Sequence, residues 1–111
     1  MPAELKILGH EAPAANTWTA LYTAPVGVGK CAVSNTVIVA NLLTTDTTVD
    51  IQCRKVGETA DISKQYLYKG IKVQGNNSWV QTLAITLGPG ESIWIRTPGS
   101  LAITAFGEET T

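Results

Sequence analysis

Apolar and polar residues alternate along most of this chain, and Gly or Pro interrupts the alternation roughly every eight to twelve residues. The clearest case is the segment 46–56, in which Val49, Ile51 and Cys53 alternate with polar residues. A period of two is that of a β-strand with one buried face. No segment has the 3.6-residue period of an amphipathic helix. The pattern therefore predicts an all-β protein.

The alternation predicts eight strands, at residues 3–10, 17–23, 31–41, 46–56, 62–69, 78–87, 91–97 and 101–106. Eight antiparallel strands in a domain of this length fit a β-sandwich of jelly-roll or Greek-key type. Residues 17–107 form the predicted sandwich, and residues 108–111 form a polar C-terminal end. Residues 1–16 are either its first strand or an arm that reaches a neighbouring molecule.

The 111 residues fit a single domain, and their charge excludes some partners. Eight basic and nine acidic residues leave a formal net charge of −1. Sequence-independent binding to nucleic acid needs a net basic surface, so we expect no nucleic-acid partner. No apolar stretch approaches about eighteen residues, so we expect no membrane partner. The first residues lack the pattern of a secretory signal.

Residues with catalytic or metal-binding chemistry are few and scattered. Cys31 and Cys53 are expected to be reduced, partly buried thiols. His10 is the single histidine, and we expect it at the surface rather than in a Ser–His or Cys–His pair. The glycine loop at 27–30 lacks the spacing and the following Ser or Thr of a phosphate-binding loop, so it predicts a hairpin turn. No set of metal ligands is apparent.

Acidic residues form two close pairs in the sequence, Asp46 with Asp50 and Glu108 with Glu109. Paired carboxylates act as acid and base when they are buried at a defined separation. Asp50 lies on the polar side of its predicted strand and Glu108 in the polar end, so we expect all four to face solvent. The sequence predicts no catalytic, cofactor or metal site, and hence a protein that is not an enzyme.

A candidate interface lies on the predicted strand 91–97. Ile93 and Ile95 point to one side of it, and Trp94 and Arg96 point to the other. A Trp beside an Arg is typical of the centre of protein–protein interfaces. The alternative is a Trp that is partly covered by its own chain. On the interface hypothesis, Trp94→Ala impairs assembly and has little effect on the fold.

Two further surfaces are candidates. Tyr66 and Tyr68 are predicted to share one strand face near Lys64, where they form either a protein interface or a stacking platform for sugars. Leu5 and Ile7 share a face of the first segment and contact a neighbour if that segment is an arm. Because a small all-β core is thin, association adds useful buried area, and we expect a homo-oligomer, with a trimer as its state.

Six short segments follow one another in order along about residues 20–108. They read LYTAP at 21–25, VIVAN at 37–41, VDIQCR at 49–54, SKQYLY at 63–68, LAITLGPGE at 83–91 and AFGE at 105–108. This series resembles small virion structural proteins of tailed bacteriophages, notably phages of cyanobacteria and marine bacteria. The likeness consists of β-strand patterns and carries no catalytic signature.

The resemblance implies a capsid cement or decoration protein. Such a protein binds the major capsid protein as a trimer where capsomers meet, and it stabilises the expanded head because it binds only the assembled shell. Its implied location is the virion, assembled in the host cytoplasm. A tail, neck or fibre-associated virion protein is one alternative, and a carbohydrate-binding adhesin module that uses Tyr66, Tyr68 or Trp94 is another.

Overall fold

The structure, a computed structural model, describes residues 3–58, 63–82, 84–99 and 101–110. These parts of the chain contain nine β-strands and one short 3-10 helix, Ser63–Gln65. The strands are β1 (Ala3–Glu11), β2 (Thr19–Thr23), β3 (Cys31–Asn41), β4 (Thr47–Arg54), β5 (Tyr66–Val73), β6 (Ser78–Gln81), β7 (Ile85–Leu87), β8 (Ser92–Arg96) and β9 (Leu101–Thr110).

The strands form two antiparallel sheets. One has the order β1-β9-β3-β6, with β7 also paired to β3, and the other has the order β2-β8-β4-β5. Inward-pointing side chains of the two sheets meet in a single hydrophobic core. Its most deeply buried members include Val39, Val49, Ile93, Ile95, Ile103 and Ala105. The all-β prediction is confirmed, and the two sheets are compatible with a β-sandwich.

The number of strands differs from the prediction of eight because the segment 78–87 contains two strands. β6 pairs with the second half of β3, and β7 pairs with its first half. β3 has a register shift against β9 between Ser34 and Thr36, so it bends between these two contacts. Leu83, which was predicted to continue the strand, lies outside the described residues. A straight period-two pattern cannot reveal such an interruption.

The two terminal segments belong to the first sheet. β1 pairs with one side of β9, and β3 pairs with the other. The last strand is longer than the predicted 101–106, because Glu108 and Glu109 of the expected polar end lie inside β9 and pair with residues of β1 and β3. Because β9 has a neighbour on each side, backbone hydrogen bonds hold this polar stretch in the sheet.

The predicted strand 62–69 also differs from the structure. Its described part begins with the 3-10 helix, and strand β5 starts at Tyr66 and runs on to Val73. Residues 59–62, which include the predicted start of that strand, lie outside the described residues. The pairing of β5 with β4 contains two register shifts, and these decide which tyrosine points outward.

Candidate interaction surfaces

Polar and aromatic side chains cover the outer face of the β2-β8-β4-β5 sheet, which we call the closed face. The register places Trp94 opposite Gln52 and Arg96 opposite Asp50, so these four side chains project from the same side. Ile93 and Ile95 of β8 are fully buried on the other side. The predicted orientation of β8 is therefore correct.

Two tryptophans and two arginines alternate on the closed face, and we call them the Trp–Arg layer. The guanidinium carbon of Arg54 lies 4.1 Å from the ring centre of Trp94 and 5.3 Å from that of Trp18. The guanidinium carbon of Arg96 lies 4.5 Å from the ring centre of Trp18. At these distances each cation is attracted by the negative face of the ring. The layer joins β4, β8 and the residue just before β2 across the outside of the sheet.

Hydrogen bonds fix the orientation of the Trp–Arg layer. Arg54 donates from Nε and Nη2 to the side-chain oxygen of Gln52, at 3.0 and 2.9 Å. Trp94 donates from its indole nitrogen to the hydroxyl of Ser92, at 2.8 Å. Arg54 is only 5% exposed, so a charged side chain is held almost completely under aromatic rings. Such a cation is stable only because several partners replace its water.

Asp50 continues this network at the side of the sheet. Its carboxylate pairs with Arg96 at 3.0 Å and accepts the backbone N–H of Gly70 at 2.7 Å. The hydroxyl of Tyr66 lies 3.4 Å from Arg96. The Asp50 side chain is 16% exposed, so the expectation that it faces solvent is wrong. The opposite charge of Arg96, one strand away, explains this burial.

Tyr66 and Tyr68 do not share a surface, and that prediction is wrong. Tyr66 pairs with Gln52 on the closed face, whereas Tyr68 pairs with Ile51 on the core side. The register shift between Ile51 and Gln52 leaves one extra residue, Leu67, between the two tyrosines. Each tyrosine instead meets a tryptophan edge to face.

The ring contacts of the two tyrosines lead to different parts of the molecule. The ring of Tyr66 is 5.9 Å from that of Trp18 in the Trp–Arg layer. The ring of Tyr68 is 5.2 Å from that of Trp79, and both pack against the core. Lys64, expected beside them, forms an ion pair with Glu58 at 3.6 Å. The structure therefore does not bring the predicted aromatic surface together.

The outer face of the β1-β9-β3-β6 sheet, which we call the open face, carries exposed apolar side chains. Its most exposed apolar side chains are Leu5 (76%), Val80 (53%), Ile7 (51%) and Phe106 (37%). Ile7 and Phe106 are directly opposite each other on β1 and β9. A surface on which Leu5, Ile7 and Phe106 are exposed side by side is typical of a protein–protein contact. Leu5 and Ile7 were predicted as interface residues, and both lie here.

Three side chains link β1, β2 and β9 at the inner edge of the first sheet. Lys6 Nζ lies 2.6 Å from a carboxylate oxygen of Glu109, and the hydroxyl of Tyr22 donates to the other oxygen. The hydrogen bond from Lys6, and then that from Tyr22, holds the pKa of Glu109 below its ordinary value. Burial and this carboxylate raise the pKa of Tyr22. Glu109 was expected to face solvent, yet its side chain is 13% exposed.

Glu109→Gln is expected to lower the free energy of unfolding by about 1 kcal/mol at neutral pH, since solvent weakens the contact with Lys6. Because the folded pKa of Glu109 is depressed, its contribution is present above the unfolded value of about 4.5 and is lost as pH falls through the folded value. Urea unfolding of both proteins as a function of pH measures this. The difference between them should shrink below about pH 4.5.

Glu108→Gln is the matched control for this prediction. Glu108 neighbours Glu109 in β9 but lies on the open face, opposite Leu5 and exposed. We expect a change within about 0.5 kcal/mol at neutral pH. A difference between wild type and Glu109→Gln that stays constant from neutral to acidic pH would contradict the role given to Glu109.

The remaining residues with reactive side chains are spread over the molecule. Cys31 and Cys53 are free and partly buried, in different sheets. Burial raises the pKa of Cys53 to about 11, so its thiol is protonated at neutral pH and is a poor nucleophile. His10 is exposed. At 27–30, Gly27 and Gly29 have positive φ and the N–H of Lys30 donates to the carbonyl of Gly27, as in a tight turn.

Within the ranges that the structure describes, no three His, Cys, Asp or Glu side chains are grouped so that they could hold a metal ion. Among the same residues, no helix has the length and hydrophobicity that crossing a membrane requires. The comparisons with known proteins add no further constraint. The chain matches no protein-family model, no curated protein and no solved structure.

Proposed function

We propose that this chain is a non-enzymatic structural subunit of a tailed-bacteriophage virion, a cement or decoration protein that binds the major capsid protein and stabilises the expanded head. The proposal rests on the resemblance described above and on one observation, the open face. The two outer faces of the molecule differ. On the closed face the side chains cover one another, whereas on the open face apolar side chains are exposed.

The open face fits a broad, flat protein surface. Leu5, Ile7 and Phe106 project from neighbouring strands and border a wide, open depression rather than an enclosed cavity. Small-molecule sites are concave and enclose their ligand, whereas protein interfaces are wide and have an apolar centre. A protein that covers a shell needs a surface of the second kind. The carbohydrate alternative gains less support, because Trp94 is covered by Arg54 and Tyr68 faces the core.

The strand order also supports this class of protein. If β6 and β7 are counted as one interrupted strand on β3, the sheets have the orders 1-8-3-6 and 2-7-4-5. These are the orders of an eight-stranded jelly roll, a fold that is common among virus capsid proteins. We propose the jelly roll as the architecture of this chain. The fold is shared by proteins of many functions, so it supports the virion role only together with the open face.

The experiment that tests the virion role is the copy number of this protein per particle, measured by quantitative mass spectrometry against the major capsid protein. We expect a number comparable to that of capsid subunits. A number equal to one ring or a few rings would overturn the cement role in favour of the tail or neck. Absence from purified particles would overturn the virion role altogether.

Ile7→Lys tests whether the open face makes the contact. We expect this variant to lose most of its binding to expanded heads, because a lysine in an apolar contact must lose its water. Its free energy of unfolding should change by less than about 1 kcal/mol, since Ile7 is half exposed on an edge strand.

Val28→Lys is the matched control, because Val28 is fully exposed in a loop outside the open face. It should bind heads as wild type does. Equal occupancy of the particle by the Ile7→Lys variant and by wild type would show that the open face is not the contact.

A further inference from the structure

The free edge of β1 has a pattern that is complementary to itself. β1 is the terminal strand of its sheet, with β9 on one side and no strand of the described residues on the other. An unpaired strand edge presents backbone N–H and C=O groups that another strand can pair with. We propose that the β1 strands of two copies of this chain pair antiparallel, centred on Leu5, and join the two five-stranded sheets into one.

The open part of the edge is short and has Leu5 at its middle. Between Ile7 and Gly9 the strand shifts register against β9. From there it runs close to β2, where a Cβ atom added to Gly9 would lie 2.0 Å from the carbonyl oxygen of Leu21. Pairing with a second strand is therefore confined to residues 3–7. A two-fold axis through Leu5 uses the whole of this stretch.

The charges select this register. Residues directly opposite each other in an antiparallel pair of strands point to the same face of the sheet. The two-fold axis that relates two identical strands must therefore lie between one residue and the same residue of the second copy. An axis at Leu5 places Glu4 opposite Lys6 of the second copy, twice. An axis at Glu4 or at Lys6 would bring like charges together. Oppositely charged pairs across strands are favourable and like pairs are not, so the sequence favours one register and disfavours its neighbours.

Lys6 can form an ion pair with Glu4 of the second copy and keep its ion pair with Glu109. Its ammonium group carries three donors, and one contact, to Glu109, is already made within the chain. The Lys6 side chain is 41% exposed, so its remaining donors are accessible. The side chains of Glu4, Lys6 and Glu109 lie on the same face of the sheet, because Glu4 pairs with Glu109 and Lys6 pairs with Gly107. The second copy's Glu4 would arrive on that face.

Pairing of this kind leaves the open face uncovered and extends it. Leu5 and Ile7 project from the outer face, perpendicular to the edge that would be joined. The exposed apolar strips of the two copies would then lie side by side. This inference goes beyond the proposed virion role and does not depend on it. The resemblance implies three copies, whereas a self-complementary edge gives two, and solution mass distinguishes these.

Sedimentation equilibrium of the full chain, from ~10 μM to ~1 mM, tests the proposal. The 11.8 kDa chain is expected to associate reversibly to twice its mass, because a short edge contact is weaker than a standard interface. Glu4→Lys is expected to weaken this association roughly tenfold, since it turns two attractive cross-strand pairs into repulsive ones. This variant keeps both side chains of the ion pair between Lys6 and Glu109, and circular dichroism verifies its fold.

Glu11→Lys is the matched control, with the same charge change on the same strand but outside residues 3–7. It should associate as wild type does. The decisive experiment mixes the Glu4→Lys and Lys6→Glu variants. With the axis at Leu5, the charges on the β1 edge of each variant are complementary to those of the other variant and not to its own. Native mass spectrometry should show the mixed dimer in excess of either homodimer.

Three results would overturn the proposal. These are a wild-type mass that stays monomeric at ~1 mM, a mass of three chains, and a Glu4→Lys variant that associates as tightly as wild type. Should Lys6→Glu fail to fold without its contact to Glu109, the comparison of Glu4→Lys with Glu11→Lys still decides. None of these measurements requires a virion, so a failed copy-number experiment and a failed dimer are separate results.

Discussion

Gly107→Ala is expected to destabilise the fold by about 3 kcal/mol or more, the largest effect that we expect from a single methyl group. Gly107 lies in β9, between Lys6 of β1 and Ser34 of β3. A Cβ atom there would be 1.9 Å from the carbonyl oxygen of Val33 and 2.9 Å from the Cα of Ser34. Both are backbone atoms, so no side-chain rotation can relieve the contact and the strands must separate.

Urea unfolding measures this effect, and Gly29→Ala is its matched control. Gly29 has a φ of +79° and no atom within 4 Å of an added Cβ, so the same substitution there meets only backbone strain. That strain costs about 1 kcal/mol. If the two variants are destabilised equally, the close approach of β9 to β3 at Gly107 does not limit the side chain there.

Trp94→Ala is expected to destabilise the fold by about 2–3 kcal/mol, in contrast to the small effect that the interface hypothesis predicts from the sequence. Trp94 is on the outer face of β8, but Arg54 covers its ring at 4.1 Å. Removing the indole would expose one side of a cation that is now 5% exposed, and it would leave a gap in the Trp–Arg layer. Thermal and urea unfolding measure the loss.

A double-mutant cycle with Arg54→Ala separates the energy of the contact between Arg54 and Trp94 from the other effects of removing each side chain. We expect a coupling energy of about 1 kcal/mol between positions 54 and 94, as for a cation stacked on an aromatic ring. The comparison variant is Ile7→Ala on the open face, where we expect a change below about 1 kcal/mol. If the Trp94→Ala protein is as stable as wild type but does not assemble, the result would support the interface hypothesis for Trp94.

The alternation of apolar and polar residues predicted the all-β fold and the buried side of β8, because both depend only on residues that are close in the sequence. Ile93 and Ile95 must be buried together if the strand is regular, and they are. Tyr66 and Tyr68 follow the same rule in the sequence but not in the structure, since an unpaired Leu67 lies between them. A bulge depends on how two strands meet, so no single strand's pattern encodes it.

The coverage of Trp94 could not be predicted for a related reason. Its partner Arg54 is on β4, and Trp18, which contacts both arginines, precedes β2. These residues are far apart in the chain and meet only because β8 lies between β2 and β4. The sequence does suggest that Leu5 and Ile7 share a face. That this face stays exposed depends on which sheet β1 joins.

The central position of β9 has a consequence for the order in which this protein can fold. β1 and β3 do not pair with each other, and both pair with β9, which begins only at Leu101 whereas β3 ends at Asn41. Until β9 inserts between them, a nascent chain holds two long strands with unpaired edges. Such distant pairing makes folding slow, and exposed edges invite aggregation in the meantime. A chain cut short before Leu101 should therefore accumulate as insoluble protein.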